Sequence, residues 1–110
     1  MEQPSQKRAL SRIAIERTGQ IRCGASIAPC QVLDVTQKGF RLRLEGSYAL
    51  DDLLHLQFPL SEENLLSCTV QVRYVLPPFV GVVIVGISPH HQKMLSKFID
   101  EILALNMRGL

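Results

Sequence analysis

A chain of 110 residues can bury one hydrophobic core but not two, and 46% apolar with 20% charged residues is the composition of an ordinary globular domain. The net charge of +2 is mild but unevenly spread: within the first 22 residues Lys7, Arg8, Arg12, Arg17 and Arg22 face only Glu2 and Glu16. A localised anionic partner fits this arm better than a long polyanion. Cys23, Cys30 and Cys68 are odd in number and contain no Cys-x-x-Cys pair, the usage of reduced thiols in a cytosolic protein. Met1–Leu10 has no apolar run of the signal-peptide kind. The longest uncharged stretch, Val75–Ile87, is too short to span a bilayer and contains Pro77-Pro78. A cytoplasmic protein without membrane insertion is expected.

In chain order, residues 1–12 read as a flexible basic arm, too polar to pack. Ile13 to about Gly19 is strand-like, with a second short strand around Ile21–Cys23. Pro29 introduces a strand over Cys30–Val35, and Val35–Gly39 reads as the turn of a hairpin with Gly39 at positive φ. From Gly39 to Leu44 the alternation is clean: Phe40, Leu42 and Leu44 on one face, Arg41 and Arg43 on the other. After a loop over Gly46–Asp52, Leu54, Leu56 and Phe58 alternate with His55 and Gln57 until Pro59. Beyond the polar turn Ser61–Asn64, the pattern places Val70, Val72, Tyr74 and Leu76 opposite Thr69, Gln71 and Arg73. Phe79–Ile87 is a continuous apolar run, expected to be covered on both faces.

Then the period changes. Ser88 is a good N-cap with Pro89 at the first helical position. Met94, Leu95, Phe98, Ile99, Ile102, Leu103 and Leu105 recur at three- and four-residue steps, with Gly109 as C-cap. The expected fold is all-β dominated: a small antiparallel barrel of about six strands over residues 13–87, followed by a C-terminal amphipathic helix over 88–108. The apolar arc of that helix is wide, so an edge at Met94 or Leu103 is expected either to meet a second surface, a partner protein or another copy of the chain, or to be covered by the loops between strands.

Two motifs carry the functional information, Arg8-x-x-x-Arg12 and Asp34-x-Thr36-x-x-Gly39. The first spacing arises by chance about 0.6 times in a chain of this arginine content, the second pattern about 0.04 times. In this order, ahead of a run of strands, the two together resemble the signature of the PilZ domain family, whose members bind the bacterial second messenger cyclic di-GMP. The resemblance covers most of the chain and implies one domain over residues 1–110. It implies that Arg8 and Arg12 grip phosphate and guanine, that Asp34, Thr36 and Gly39 form the barrel side of the site, and that Lys7 adds a phosphate contact. The family's usual serine is replaced by Thr36, whose extra methyl bears on affinity.

The residue types suit that ligand. A planar guanidinium with forked donors serves both phosphate and the O6/N7 edge of guanine. A carboxylate at Asp34 can accept from guanine N1–H and N2–H, the Thr36 hydroxyl can donate and accept, and Gly39 leaves room for close approach of a base. The expected function is a non-enzymatic receptor that reports cyclic di-GMP occupancy to a protein partner, with no further cofactor. One alternative is an adaptor of the same fold that binds no nucleotide and serves type IV pili or motility. It would be marked by loss of the arginine pair, which this chain retains. A nucleic-acid-binding small barrel would need exposed aromatics for stacking, whereas Phe40, Tyr48, Phe58, Tyr74, Phe79 and Phe98 read mostly as inward or core positions. No nucleophile–base set, metal-ligand cluster or phosphate-binding glycine loop is visible. His90-His91 and His55 read as surface residues rather than metal ligands.

Overall fold

Every second side chain along these strands turns inward, and closing the sheet on itself gives those side chains a common interior. In the computed structural model the described residues are 12–108, with side chains as far as Leu105. They form β1 (Ile13–Cys23), β2 (Ser26–Val35), β3 (Gly39–Arg43), β4 (Leu53–Pro59), β5 (Leu65–Leu76), β6 (Phe79–Gly86) and α1 (Pro89–Arg108). The strands close into a barrel in the order β1-β2-β3-β6-β5-β4, with every neighbouring pair antiparallel. The interior holds Leu54, Leu56 and Phe58 from β4, Leu66, Cys68, Val70 and Val72 from β5, and Phe40 and Leu42 from β3, all buried. Phe40 meets Phe58 edge to face, with ring centroids 5.4 Å apart. Leu95 and Ile99 complete the core from α1, which packs against β5 and β1.

The helix begins as its sequence requires. The Ser88 hydroxyl accepts from the His91 backbone N–H at 3.2 Å and the Ser88 carbonyl accepts from Gln92 N–H at 2.8 Å. Gly109 lies outside the described residues. His91 is more than a surface residue. Its Nδ1 accepts the Ser67 backbone N–H at 3.0 Å, and the Ser67 hydroxyl lies 2.8 Å from His55 Nε2. The imidazole thereby occupies, beyond the end of β6, a place a strand carbonyl would otherwise fill. Met94, Phe98, Ile102 and Leu103 are half-buried against the core, and it is Leu105 that stands open. The barrel therefore covers much of the arc that the periodicity assigns to a second surface.

Several sequence expectations need correction. The segments at Ile13–Gly19 and Ile21–Cys23 are one strand, β1, because its full length pairs with β2. Pro29 lies within β2 rather than before it. β3 pairs with β2 only from Gln31, so the missing N–H of Pro29 leaves no gap in the β2–β3 ladder. β5 starts at Leu65, ahead of the expected strand. Tyr74 and Leu76 do not face inward: they are 45% and 67% exposed. Between the pairs Val72↔Val82 and Tyr74↔Gly81, β5 contains one more residue than β6. That bulge at Arg73 reverses the phase, so Val75 turns to the core and both Arg73 and Tyr74 turn out. β6 is covered on both faces only over Val80–Val82; Val85 is exposed.

Candidate functional site

The β2–β3 turn is built by Thr36. Its hydroxyl accepts from the backbone N–H groups of Lys38 at 3.1 Å and Gly39 at 3.0 Å and donates to the Gly39 carbonyl at 3.2 Å. Its own N–H bonds the same carbonyl at 2.9 Å. The hydrogen-bonding capacity of the hydroxyl is thus taken up by folding the turn, a local role a serine would fill equally. The Lys38 carbonyl then accepts from Ile84 N–H at 2.7 Å, hooking the turn onto β6.

Gly39 is needed for a different reason from the positive φ that its place in a turn suggests. The positive-φ glycines among the described residues are Gly24 and Gly46. A Cβ at position 39 would overlap the Val82 carbonyl oxygen and press on Val83 Cα. The absent side chain therefore lets β3 close on β6.

Asp34 is the buried charged side chain of the described residues, at 7% exposure, although it points away from the interior. β2 carries one extra residue between Val32↔Leu42 and Asp34↔Arg41. The extra residue at Leu33 lets Val32 and Val35 both face the core while Asp34 turns to the outer face beside Arg41. There Arg41 Nε donates to Asp34 Oδ2 at 2.5 Å. The same guanidinium lies over the Phe79 ring, 5.2 Å from its centroid, and Arg43 approaches that ring at 6.0 Å.

Asp34, Thr36, Gly39 and Arg41 line a cleft of about 300 Å³ together with Arg12, Lys38, Arg73 and Tyr74, at the low end of the range for small-molecule sites. Tyr74 rests on Gly81, where any Cβ would overlap its ring. Four cationic side chains, Arg12, Lys38, Arg41 and Arg73, face one carboxylate here, so the cleft favours an anion. Of the residues singled out in the sequence, Arg12, Asp34, Thr36 and Gly39 come together in it. Lys7 and Arg8 lie outside the described residues. Two depressions of more than twice that volume contain neither Arg12 nor Asp34. One, about 730 Å³, is lined by Ala28, Pro29 and Leu44; the other, about 770 Å³, adjoins the cleft through Lys38, Arg73 and Val83.

Tyr74 escapes sequence reasoning because the bulge that exposes it is a property of strand pairing, whereas alternation by itself places Arg73 on the outer face. Arg41 is legible in part: alternation places it on the outer face, two residues beyond Gly39. Phe79, a core position by its apolar surroundings in the sequence, is half-buried under the two arginines. Among the described residues there is no group of three or more His, Cys, Asp or Glu side chains that could hold a metal, and no helix long and apolar enough to cross a membrane. Cys23 is an exposed free thiol. Burial pushes the Cys30 thiol up to about 11, despite a backbone hydrogen bond with Gly19 that opposes the shift, and the Cys68 thiol up to about 12.

No curated protein matches the sequence. Among solved structures, the Bacillus subtilis inhibitor of motility MotI/DgrA superimposes with a TM-score of 0.75 at 16% identity, over 84% of this chain and 49% of that one. The likeness is one of fold, and this chain spans about half the length of that protein. The sequence itself matches the PilZ domain over residues 6–101. With both motifs inside that range and a closed six-stranded barrel followed by a helix, the chain belongs to the PilZ domain family.

Proposed function

We propose that the chain is a receptor for cyclic di-GMP, which binds between the arginine pair Arg8/Arg12 and the outer face of the barrel at Asp34, and that occupancy is passed to a protein partner. The observation that carries this reading is the convergence of Arg12, Asp34, Thr36 and Gly39 on one cleft with a surplus of positive charge. Guanidinium groups at Arg12 and Arg73 suit the phosphates. The Asp34 carboxylate suits the Watson–Crick edge of a guanine, and the outward ring of Tyr74 offers a stacking surface. Thr36 and Gly39 act by shaping the turn and seating β3 against β6. The arginine pair whose loss would mark a nucleotide-free adaptor is present in the sequence. That the MotI/DgrA neighbour is an inhibitor of motility accords with an output made through protein contacts.

Calorimetric titration of the purified protein with cyclic di-GMP, with GTP and cyclic GMP as controls, tests the assignment. A charge-assisted hydrogen bond contributes about 1.5–3 kcal/mol. Arg8→Ala or Arg12→Ala should therefore weaken binding about ten- to a hundred-fold, and lysine at either position should restore only part of it. Undiminished affinity in the double alanine variant would sink the proposal.

A further inference from the structure

Asp34 is not presented to the cleft as a free carboxylate. Its Oδ2 is held by Arg41 Nε at 2.5 Å, and Arg41 is in turn held over the Phe79 ring at 5.2 Å. The arrangement crosses three strands: Asp34 on β2, Arg41 opposite it on β3, and Phe79 on β6, opposite Arg43. Each member restrains the next. The aromatic face restrains the guanidinium, and the guanidinium fixes the carboxylate rotamer. The bond through Nε leaves the terminal nitrogens of the guanidinium, and Oδ2 can accept a second hydrogen bond.

We infer that Arg41 is a positioning residue for base recognition, which sets the Asp34 carboxylate so that both its oxygens can meet the N1–H and N2–H donors of a guanine. This rests on the cyclic di-GMP reading above. A carboxylate fixed in that plane selects against adenine, whose Watson–Crick edge carries an acceptor at N1. A carboxylate free to rotate selects less well. Arg41 therefore governs which base is accepted, whereas Arg12 and Arg73, which have no such hold on Asp34, govern affinity for the phosphates.

The test measures affinity for cyclic di-GMP and for cyclic di-AMP, by competition against labelled cyclic di-GMP, in wild type, Arg41→Gln, Asp34→Asn and the double variant. Arg41→Gln should weaken cyclic di-GMP binding about tenfold more than it weakens cyclic di-AMP binding, the loss of one cleft cation being common to both nucleotides, so that discrimination falls by that factor. The double variant should bind no more weakly than Asp34→Asn, because both changes remove one function. Phe79→Leu, which keeps Arg41 but removes its platform, should reproduce the loss of discrimination in weaker form and provides a second route should Arg41→Gln fold poorly. Equal weakening for both nucleotides, additive with Asp34→Asn, would make Arg41 a direct phosphate contact and overturn the positioning role; so would unchanged discrimination. Wild-type protein that binds neither nucleotide overturns the receptor reading itself, and this inference with it.

Discussion

The two flanks of the barrel are built on different rules. The β4–β5 ladder runs from Leu53↔Gln71 to Pro59↔Leu65 without a register shift, and its inward row of Leu54, Leu56, Phe58, Leu66, Cys68 and Val70 is buried throughout. Around the cleft three of the pairings are irregular, while β3–β6 runs unbroken. β1–β2 shifts between Ala14 and Arg17, β2–β3 between Val32 and Asp34, and β5–β6 between Val72 and Tyr74. An unbroken ladder maximises packing, since side chains repeat with period two and every inward position is apolar. A bulge changes that phase over a single residue, so a polar group can leave the core side without the strand leaving the sheet. The regular flank supplies stability, and the bulged flank gathers Asp34, Arg41, Arg73 and Tyr74 on one outer face.

Substitutions can break this contrast or sharpen it. The largest effect is expected on the regular flank. Phe58→Ala should destabilise the fold by about 3–5 kcal/mol in urea denaturation, while the affinity of the remaining folded molecules for cyclic di-GMP stays unchanged. A loss of affinity per folded molecule would show that the two flanks do not divide the labour in this way. Next comes Gly81→Ala, whose Cβ would overlap the Tyr74 ring; overpacking of this kind costs about 1–3 kcal/mol. Because Tyr74 is outward and half-open, a second substitution, Tyr74→Ala, should recover most of that stability. A double variant no more stable than Gly81→Ala would mean that the bulged flank is packed as rigidly as the ladder.

A last contrast lies in the alkaline range and compares two buried thiols, one on the β4–β5 ladder and one on β2. Cys68 belongs to the regular ladder opposite Leu56, and Cys30 pairs with Gly19 on β1. Burial raises the first to about 12 and the second to about 11. A thiol raised in the folded state retains its proton while the unfolded chain loses its own. Stability is therefore undiminished below the ordinary thiol value of about 9 and falls as pH rises above it. The slope is about 1.4 kcal/mol per pH unit for each thiol. It should end near pH 11 for Cys30 and near pH 12 for Cys68. Cys68→Ala should flatten the loss above about pH 11 in denaturant titrations, and Cys30→Ala should not. The reverse order would place the tighter enclosure at Cys30.

Much of this architecture is legible in the order of the residues. β3 and β4 follow their alternation residue by residue, and Ser88-Pro89 starts the helix where its chemistry requires. The motif residues Arg12, Asp34, Thr36 and Gly39 do converge. The mismatches cluster where pairing is irregular. Alternation carried straight through β5 turns Tyr74 and Leu76 inward, because nothing in the sequence announces the bulge at Arg73. The apolar run that begins at Phe79 implies a core position, and gives no sign that two arginines from the neighbouring strand lie against the ring.

What the sequence determined by itself was local: the period of β3, β4 and the helix, the turn at Val35–Gly39, and the two motifs. Those depend on residues a few positions apart, whose geometry is dictated by bond lengths and backbone sterics. Only the tertiary structure decided where each phase reverses, because a bulge is a mismatch in count between two strands and exists only once they pair. The same pairing gave Gly39 its role, through an approach of Val82 from β6 rather than through its own φ. It also set Arg41 between a carboxylate on β2 and a ring on β6, a contact no single strand contains.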